Sequence, residues 1–109
     1  MNLLRSALFL SFALSLSLPA HAGSSAEQRA SGAKVFADNG CGHCHTIRQK
    51  GGDKGPDLSG VGRRLSEGQI RTQILKGGQT MPPFADVLQK SETEDLVAYL
   101  RSLRDKQKK

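Results

Sequence analysis

The chain has 109 residues and a formal net charge of +6, with two cysteines, one tyrosine and no tryptophan. That length accommodates one small domain, and a chain so short with so few aromatic side chains buries too little surface to be comfortably stable unless a disulfide, a metal or a cofactor staples it. The basic excess favours acidic partners, and no internal repeat or second domain is visible.

Residues 1–22 read as a secretory leader. Arg5 gives the positive start, Ala7 to Leu18 is an uncharged apolar run, and Pro19-Ala20-His21-Ala22 closes on the small-x-small pattern of a cleavage site. The run is shorter than the roughly 20 residues that cross a bilayer as a helix. Residues 23–109 are therefore expected to be one domain, exported to an oxidising space such as a bacterial periplasm.

A first helix is expected from Ser24 or Ser25, since Ser24 with Glu27, or Ser25 with Gln28, could form a reciprocal cap. It runs through Ala30, Ala33 and Phe36 and stops at Asn39-Gly40, a pair able to adopt the left-handed conformation. Cys41-Gly42-His43-Cys44-His45 follows at once. The stretch from Gly51 to Gly62 is rich in Gly and reads as a loop that sustains neither helix nor strand.

The second helix is marked by a capping box of Ser66 and Gln69, a hydrophobic staple of Leu65 and Ile70, and a stop at Gly77. Gly77 to Phe84 is a second loop, containing Met81 before Pro82 and Pro83. The third helix is expected to repeat the cap with Ser91 and Glu94. It places Leu96, Tyr99, Leu100 and Leu103 on one stripe, with Arg101, Arg104 and Lys106 at the negative end of its dipole. Lys108 and Lys109 extend a basic tail. No segment alternates like a strand.

Three chemistries compete for the cysteine pair. A structural zinc site takes two ligand pairs separated by a dozen or more residues, whereas Cys41, His43, Cys44 and His45 are nearly consecutive and cannot readily surround one ion. A thiol-disulfide catalyst is expected beside a βαβ pattern and would leave His45 unexplained. Cys-x-x-Cys-His is also the attachment signature of c-type haem, in which both sulfurs bond the porphyrin and the adjoining imidazole binds its iron. This accounts for Cys41, Cys44, His45 and the missing interior together. His43 is expected to face solvent.

With Cys41 to His45, Gly55-Pro56-Asp57-Leu58, Met81-Pro82 and Asp95 to Leu100 in this order, the chain from Gly32 to about Arg104 resembles the small monohaem class I c-type cytochromes. The resemblance implies an all-α class I cytochrome c fold, three main helices and their loops wrapped around one covalently bound haem c. Besides the cysteines, the cofactor-binding residues expected are His45, Met81, Pro56 and Leu58, with His45 and Met81 on the iron. Met81 is the only methionine beyond the leader, and Pro82 biases it towards an extended backbone. Pro56 is implied to lend its carbonyl to the ring of His45, and Leu58 to line the haem face. Arg63, Arg64 and Gln79 are candidate partners for the propionates, and Gly32 with Phe36 is implied to let the first helix cross the last closely.

The function so implied is a periplasmic one-electron carrier, not an enzyme, working as a monomer with redox proteins whose docking surfaces are acidic. No nucleic acid is expected as a partner, nor membrane insertion after the leader is removed. Two alternatives stay open: a haem enzyme or gas sensor with a displaceable Met81, and a docked electron-transfer subunit of a larger oxidoreductase.

Overall fold

The computed structural model describes residues 25–106. The leader at residues 1–22, the candidate cap Ser24, and Lys108 and Lys109 lie outside the described residues. Four helices and one small hairpin make up the described chain: α1 (Ser25–Asp38), β1 (Thr46–Ile47), β2 (Lys50–Gly51), α2 (Val61–Arg64), α3 (Glu67–Lys76) and α4 (Lys90–Ser102). Among the described residues no helix is long and apolar enough to cross a membrane.

Helix α1 carries a glycine in its middle, which costs about 1 kcal/mol of helix propensity relative to alanine. The tertiary structure explains it. A Cβ on Gly32 would sit 2.0 Å from the carbonyl oxygen of Asp95 and 2.6 Å from Cβ of Tyr99, so only glycine lets α1 lie directly on the backbone of α4. Phe36 meets Tyr99 edge-on beside this crossing, with centroids 5.9 Å apart. The helix ends as expected, with Asn39 bonding back to the Val35 carbonyl through its side chain at 2.8 Å and Gly40 turning the chain at φ 71°.

Helix α3 begins with the expected reciprocal cap. Ser66 N–H donates to Gln69 Oε1 at 2.9 Å, and Gln69 N–H donates to Ser66 Oγ at 3.2 Å. Ile70 and Ile74 turn inward to join Leu96, Val97 and Leu100 of α4 in the apolar core, and Leu65 packs against it.

Three local expectations are corrected. Helix α4 starts at Lys90, with Gln89 as its cap and the Gln89 N–H donating to Glu92 at 2.8 Å, and Ser91 with Glu94 does not form the cap. Glu94 is engaged elsewhere: Arg71 of α3 grips its carboxylate with two bonds, at 2.8 and 2.7 Å. A bidentate guanidinium pair outcompetes one local N–H.

The loop expected through Gly62 instead ends in the single turn of α2. Its carbonyls are met from α4 and beyond, with Arg101 and Arg104 both donating to Gly62 O, the latter at 2.6 Å. These arginines therefore serve the carbonyl end of a neighbouring helix as well as lying near the end of their own. Finally, where no strand was expected, β1 and β2 pair antiparallel with Thr46 opposite Gly51 and Ile47 opposite Lys50.

The turn of this hairpin uses Arg48 at φ 49° and Gln49 at φ 69°. Such a turn normally draws Asn or Gly, so its residues gave no signal. Tertiary bonds hold it. Arg48 N–H donates to Ser59 Oγ at 2.7 Å, and the Arg48 guanidinium takes both oxygens of Asp105, at 2.8 and 3.0 Å.

Candidate cofactor site

Cys41 opens a 3₁₀ turn, Cys41–His43, which Asn39 and Gly40 join to the end of α1, and Cys44 caps it. Cys44 and His45 both donate their N–H groups back to the Cys41 carbonyl, at 3.2 and 3.0 Å, which compacts the five residues into one knuckle. Gly52 and Gly55 clamp it from the far side through bonds to Gly42 O and Cys44 O, at 2.9 and 2.7 Å. His43 is exposed, as expected.

His45 Nδ1 lies 2.8 Å from the carbonyl oxygen of Pro56. A carbonyl only accepts, so Nδ1 carries the proton and Nε2 is left with its lone pair free for a metal. Gly55 makes room for this arrangement: a Cβ there would meet the imidazole at 2.7 Å from Cε1 and 2.9 Å from Nδ1.

The Met81 loop is built by a tight turn after α3. Gly78 and Met81 exchange backbone bonds, at 3.0 and 2.7 Å, and Gln79 at the tip takes φ 39°. Gly77, at φ 65° and ψ −156°, reaches a conformation closed to side chains, and its Cβ would fall 2.5 Å from Met81 O. Gln73 of α3 touches the loop twice. Its side-chain amide lies 3.1 Å from Gly77 O and 3.9 Å from Met81 Sδ.

These pieces converge on one crevice with an almost wholly apolar wall. Cys41, His45, Leu58 and Met81 line it together with side chains from three helices, among them Phe36 of α1, Ile74 of α3 and Leu96 of α4. Cys44 lies exposed outside the lining residues, and Pro56 acts on His45 through its carbonyl. Arg64 spends a guanidinium N–H on Asp57 O at 2.9 Å, while Arg63 and Gln79 are exposed.

A carbon-walled slot carrying a thiol, an imidazole and a thioether, with a second thiol three residues along, suits a flat apolar ligand that bears a soft metal ion. The donor set fits an iron porphyrin. It does not suit a thiol-disulfide catalyst, which needs a lowered thiol pKa: burial pushes the Cys41 thiol up.

Sequence reasoning found Cys41, His45, Leu58 and Met81 but missed Gln73 and the back wall of Asn39, Phe84 and Leu88. The sequence marks Asn39 only as a helix stop. The one signal for Gln73 is its place four residues before Gly77, where a long side chain can reach the carbonyls of its own helix end.

The family described as cytochrome c oxidase, cbb3-type, subunit III matches residues 27–100. Among curated relatives, a cytochrome c oxidase subunit 2 of Alkalihalophilus pseudofirmus is 35% identical over 86 residues, covering 67% of this chain and 25% of its own length. Cytochrome c-555 of Methylococcus capsulatus is 31% identical over 75 residues, covering 68% of this chain and 61% of its own length. The chain thus spans less than two thirds of either relative.

Two solved structures share the fold. The c-type cytochrome SorU from Sinorhizobium meliloti superposes with a TM-score of 0.61 at 23% identity, covering 72% of this chain and 92% of that one. SoxXA from P. pantotrophus gives 0.63 at 24% identity, covering 71% of this chain and 82% of that one. With the family match over most of the described residues and the class I cytochrome c fold, the chain belongs to the c-type cytochromes, haem-iron proteins of electron transfer.

Proposed function

We propose that this chain is an exported one-electron carrier holding a single covalently bound haem c. Cys41 and Cys44 would hold it through two thioether links, and His45 and Met81 would ligate the iron. The haem supplies an iron that cycles between ferrous and ferric, and ligation by His and Met favours the ferrous state and a raised potential.

The observation that carries the reading is the bond between His45 Nδ1 and Pro56 O, which fixes the tautomer a metal needs in a residue lining the same crevice as Cys41 and Met81. Histidine ligands generally require such an outer partner. Leu58, Ile74 and Leu96 exclude water from the crevice, which keeps the local dielectric low and the reorganisation on electron transfer small. With both His45 and Met81 on the iron no place would be left for a substrate, which favours a carrier over an enzyme. Residues 1–22 are its leader and residues 23–109 its functional domain, located in the periplasm. It acts as a monomer, and its basic surface steers acidic redox partners into brief encounters.

Absorption spectra of the purified holoprotein, oxidised and reduced, test the proposal. A weak far-red band in the ferric form, no uptake of carbon monoxide by the reduced form at neutral pH, and thiols closed to alkylation are expected. A colourless protein with two reactive thiols would sink the haem assignment. Rapid carbon monoxide binding would remove Met81 from the iron and favour an enzyme or gas sensor.

A further inference from the structure

We infer that Arg48 and Asp105 are positioning residues for His45: together they hold the Pro56 carbonyl on the imidazole and thereby lower the reduction potential. The inference rests on the reading of His45 as an iron ligand. Three segments of the chain meet at Ser59. Arg48, in the hairpin turn, donates its backbone N–H to Ser59 Oγ at 2.7 Å, and Asp105, beyond the end of α4, donates its own to Ser59 O at 3.0 Å. The side chains of the same two residues grip one another, the guanidinium reaching both carboxylate oxygens at 2.8 and 3.0 Å. Backbone and side-chain bonds thus close a triangle on the loop that carries Pro56. Gly60 leaves room for it, since a Cβ there would fall 2.5 Å from Asp105 O.

Ser59 passes this restraint to Pro56 over a short, bonded path. Its N–H donates to Asp57 Oδ1 at 2.8 Å, and the Asp57 carbonyl accepts from Arg64 at 2.9 Å. On the other side of Pro56, Gly55 N–H is fixed to Cys44 O at 2.7 Å. Pro56 therefore hangs between two anchors, the cysteine knuckle and the triangle, and the direction of its carbonyl depends on both. Arg48 holds φ 49°, a conformation that Asn or Gly adopts more readily. The turn forgoes that preference for a guanidinium that reaches Asp105, 57 residues away in the chain.

The consequence is electronic. A carbonyl accepting from Nδ1–H leaves more electron density on Nε2 and makes the ring a stronger donor. Ferric iron, carrying one more positive charge, gains more from that donation than ferrous iron does, so firm positioning lowers the potential and loosening raises it. The pair is ionised at neutral pH, because the bond from Arg48 holds the Asp105 carboxyl below its ordinary value. Its side chains are 63% and 42% exposed, so water and salt screen it and the effect is modest.

The test compares the Arg48→Gln/Asp105→Asn holoprotein with wild type. One charge of each sign is lost, so the net charge is unchanged and the long-range electrostatic effects on the iron oppose each other. Ser59→Ala is a second variant, removing the acceptor of the Arg48 N–H without touching any charge. Lys34→Gln/Asp38→Asn, which breaks another exposed ion pair, on α1, is the control. Spectroelectrochemical titration should show the ferrous-to-ferric ratio at fixed potential rising about two- to threefold in the double variant, an increase of about 20 to 30 mV at 59 mV per decade for one electron. Ser59→Ala should move less in the same direction, and the control should match wild type. Proton NMR of the diamagnetic ferrous protein should show the Nδ1–H of His45 exchanging faster with water in the double variant and in Ser59→Ala. Agreement of the double variant with wild type in either readout would overturn the inference while leaving His45 on the iron. Ring protons of His45 that lack the large upfield shift of an axial ligand in wild type itself would identify the ligand assignment as the failed premise.

Discussion

Replacing Gly55 with alanine probes most directly the link between the backbone and His45, the proposed iron ligand. The added Cβ would lie 2.7 Å from Cε1, 2.9 Å from Nδ1 and 3.2 Å from Nε2 of His45. Nonbonded carbons settle near 3.5 Å, so the ring must retreat by about 0.8 Å. Gly55 adjoins Pro56, and a retreat from one is a retreat from the other. The 2.8 Å bond between Nδ1 and Pro56 O then stretches out of hydrogen-bonding range. Losing that bond costs about 1 kcal/mol, and the strain of overpacking adds about 1–3 kcal/mol. Guanidinium unfolding of the holoprotein, followed by circular dichroism and by the absorbance of the ligated iron, should therefore show a loss of about 2–4 kcal/mol. Gly68→Ala is the matched control, because a Cβ at Gly68 meets nothing within 4 Å; alanine in that exposed helix should gain about 0.5–1 kcal/mol. If Gly55→Ala unfolds at the same denaturant concentration as wild type with an unaltered spectrum, the packing of His45 against this loop is not what fixes the ligand.

Two further outcomes follow from the packing of the helices. Gly32→Ala drives a Cβ to 2.0 Å from the Asp95 carbonyl and must pry α1 off α4; a loss of about 3 kcal/mol or more is expected in chemical denaturation, and near-neutral behaviour would contradict the close crossing. The Arg71 guanidinium, bonded to Glu94, holds that carboxyl below its ordinary value of 4.5, so the pair contributes stability above that pH and loses it as pH falls through the lowered folded value. Both side chains are about a third exposed, which limits the contribution to about 0.5–1 kcal/mol. Glu94→Gln should be less stable than wild type at neutral pH by that amount, with the gap closing in acid; a gap of constant size from neutral to acid pH would refute the pairing.

How much of this was legible in the sequence depends on how local each cause is. The capping box of Ser66 and Gln69 and the helix stop at Asn39-Gly40 were readable because their partners lie within four residues. The start of α4 was misplaced for the opposite reason, since Glu94 answers to Arg71 on another helix. The hairpin at Arg48 and Gln49 was invisible because its support comes from Ser59 and Asp105. Gln73 escaped notice because no periodicity or motif distinguishes an amide facing solvent from one facing a sulfur.

The sequence by itself determined the candidate donor set: two cysteines, a histidine and a methionine, in the order and spacing of the c-type haem signature. It also set the glycines that the crossing and the loops require, because absence of a side chain is written in the residue type. The tertiary structure alone decided which lone pair of His45 is free, which helix the arginines of α4 serve, and which amide reaches Met81. Those outcomes depend on distances between groups far apart in the chain. A contact energy falls off within an ångström or so, and nothing short of the folded arrangement fixes separations that finely.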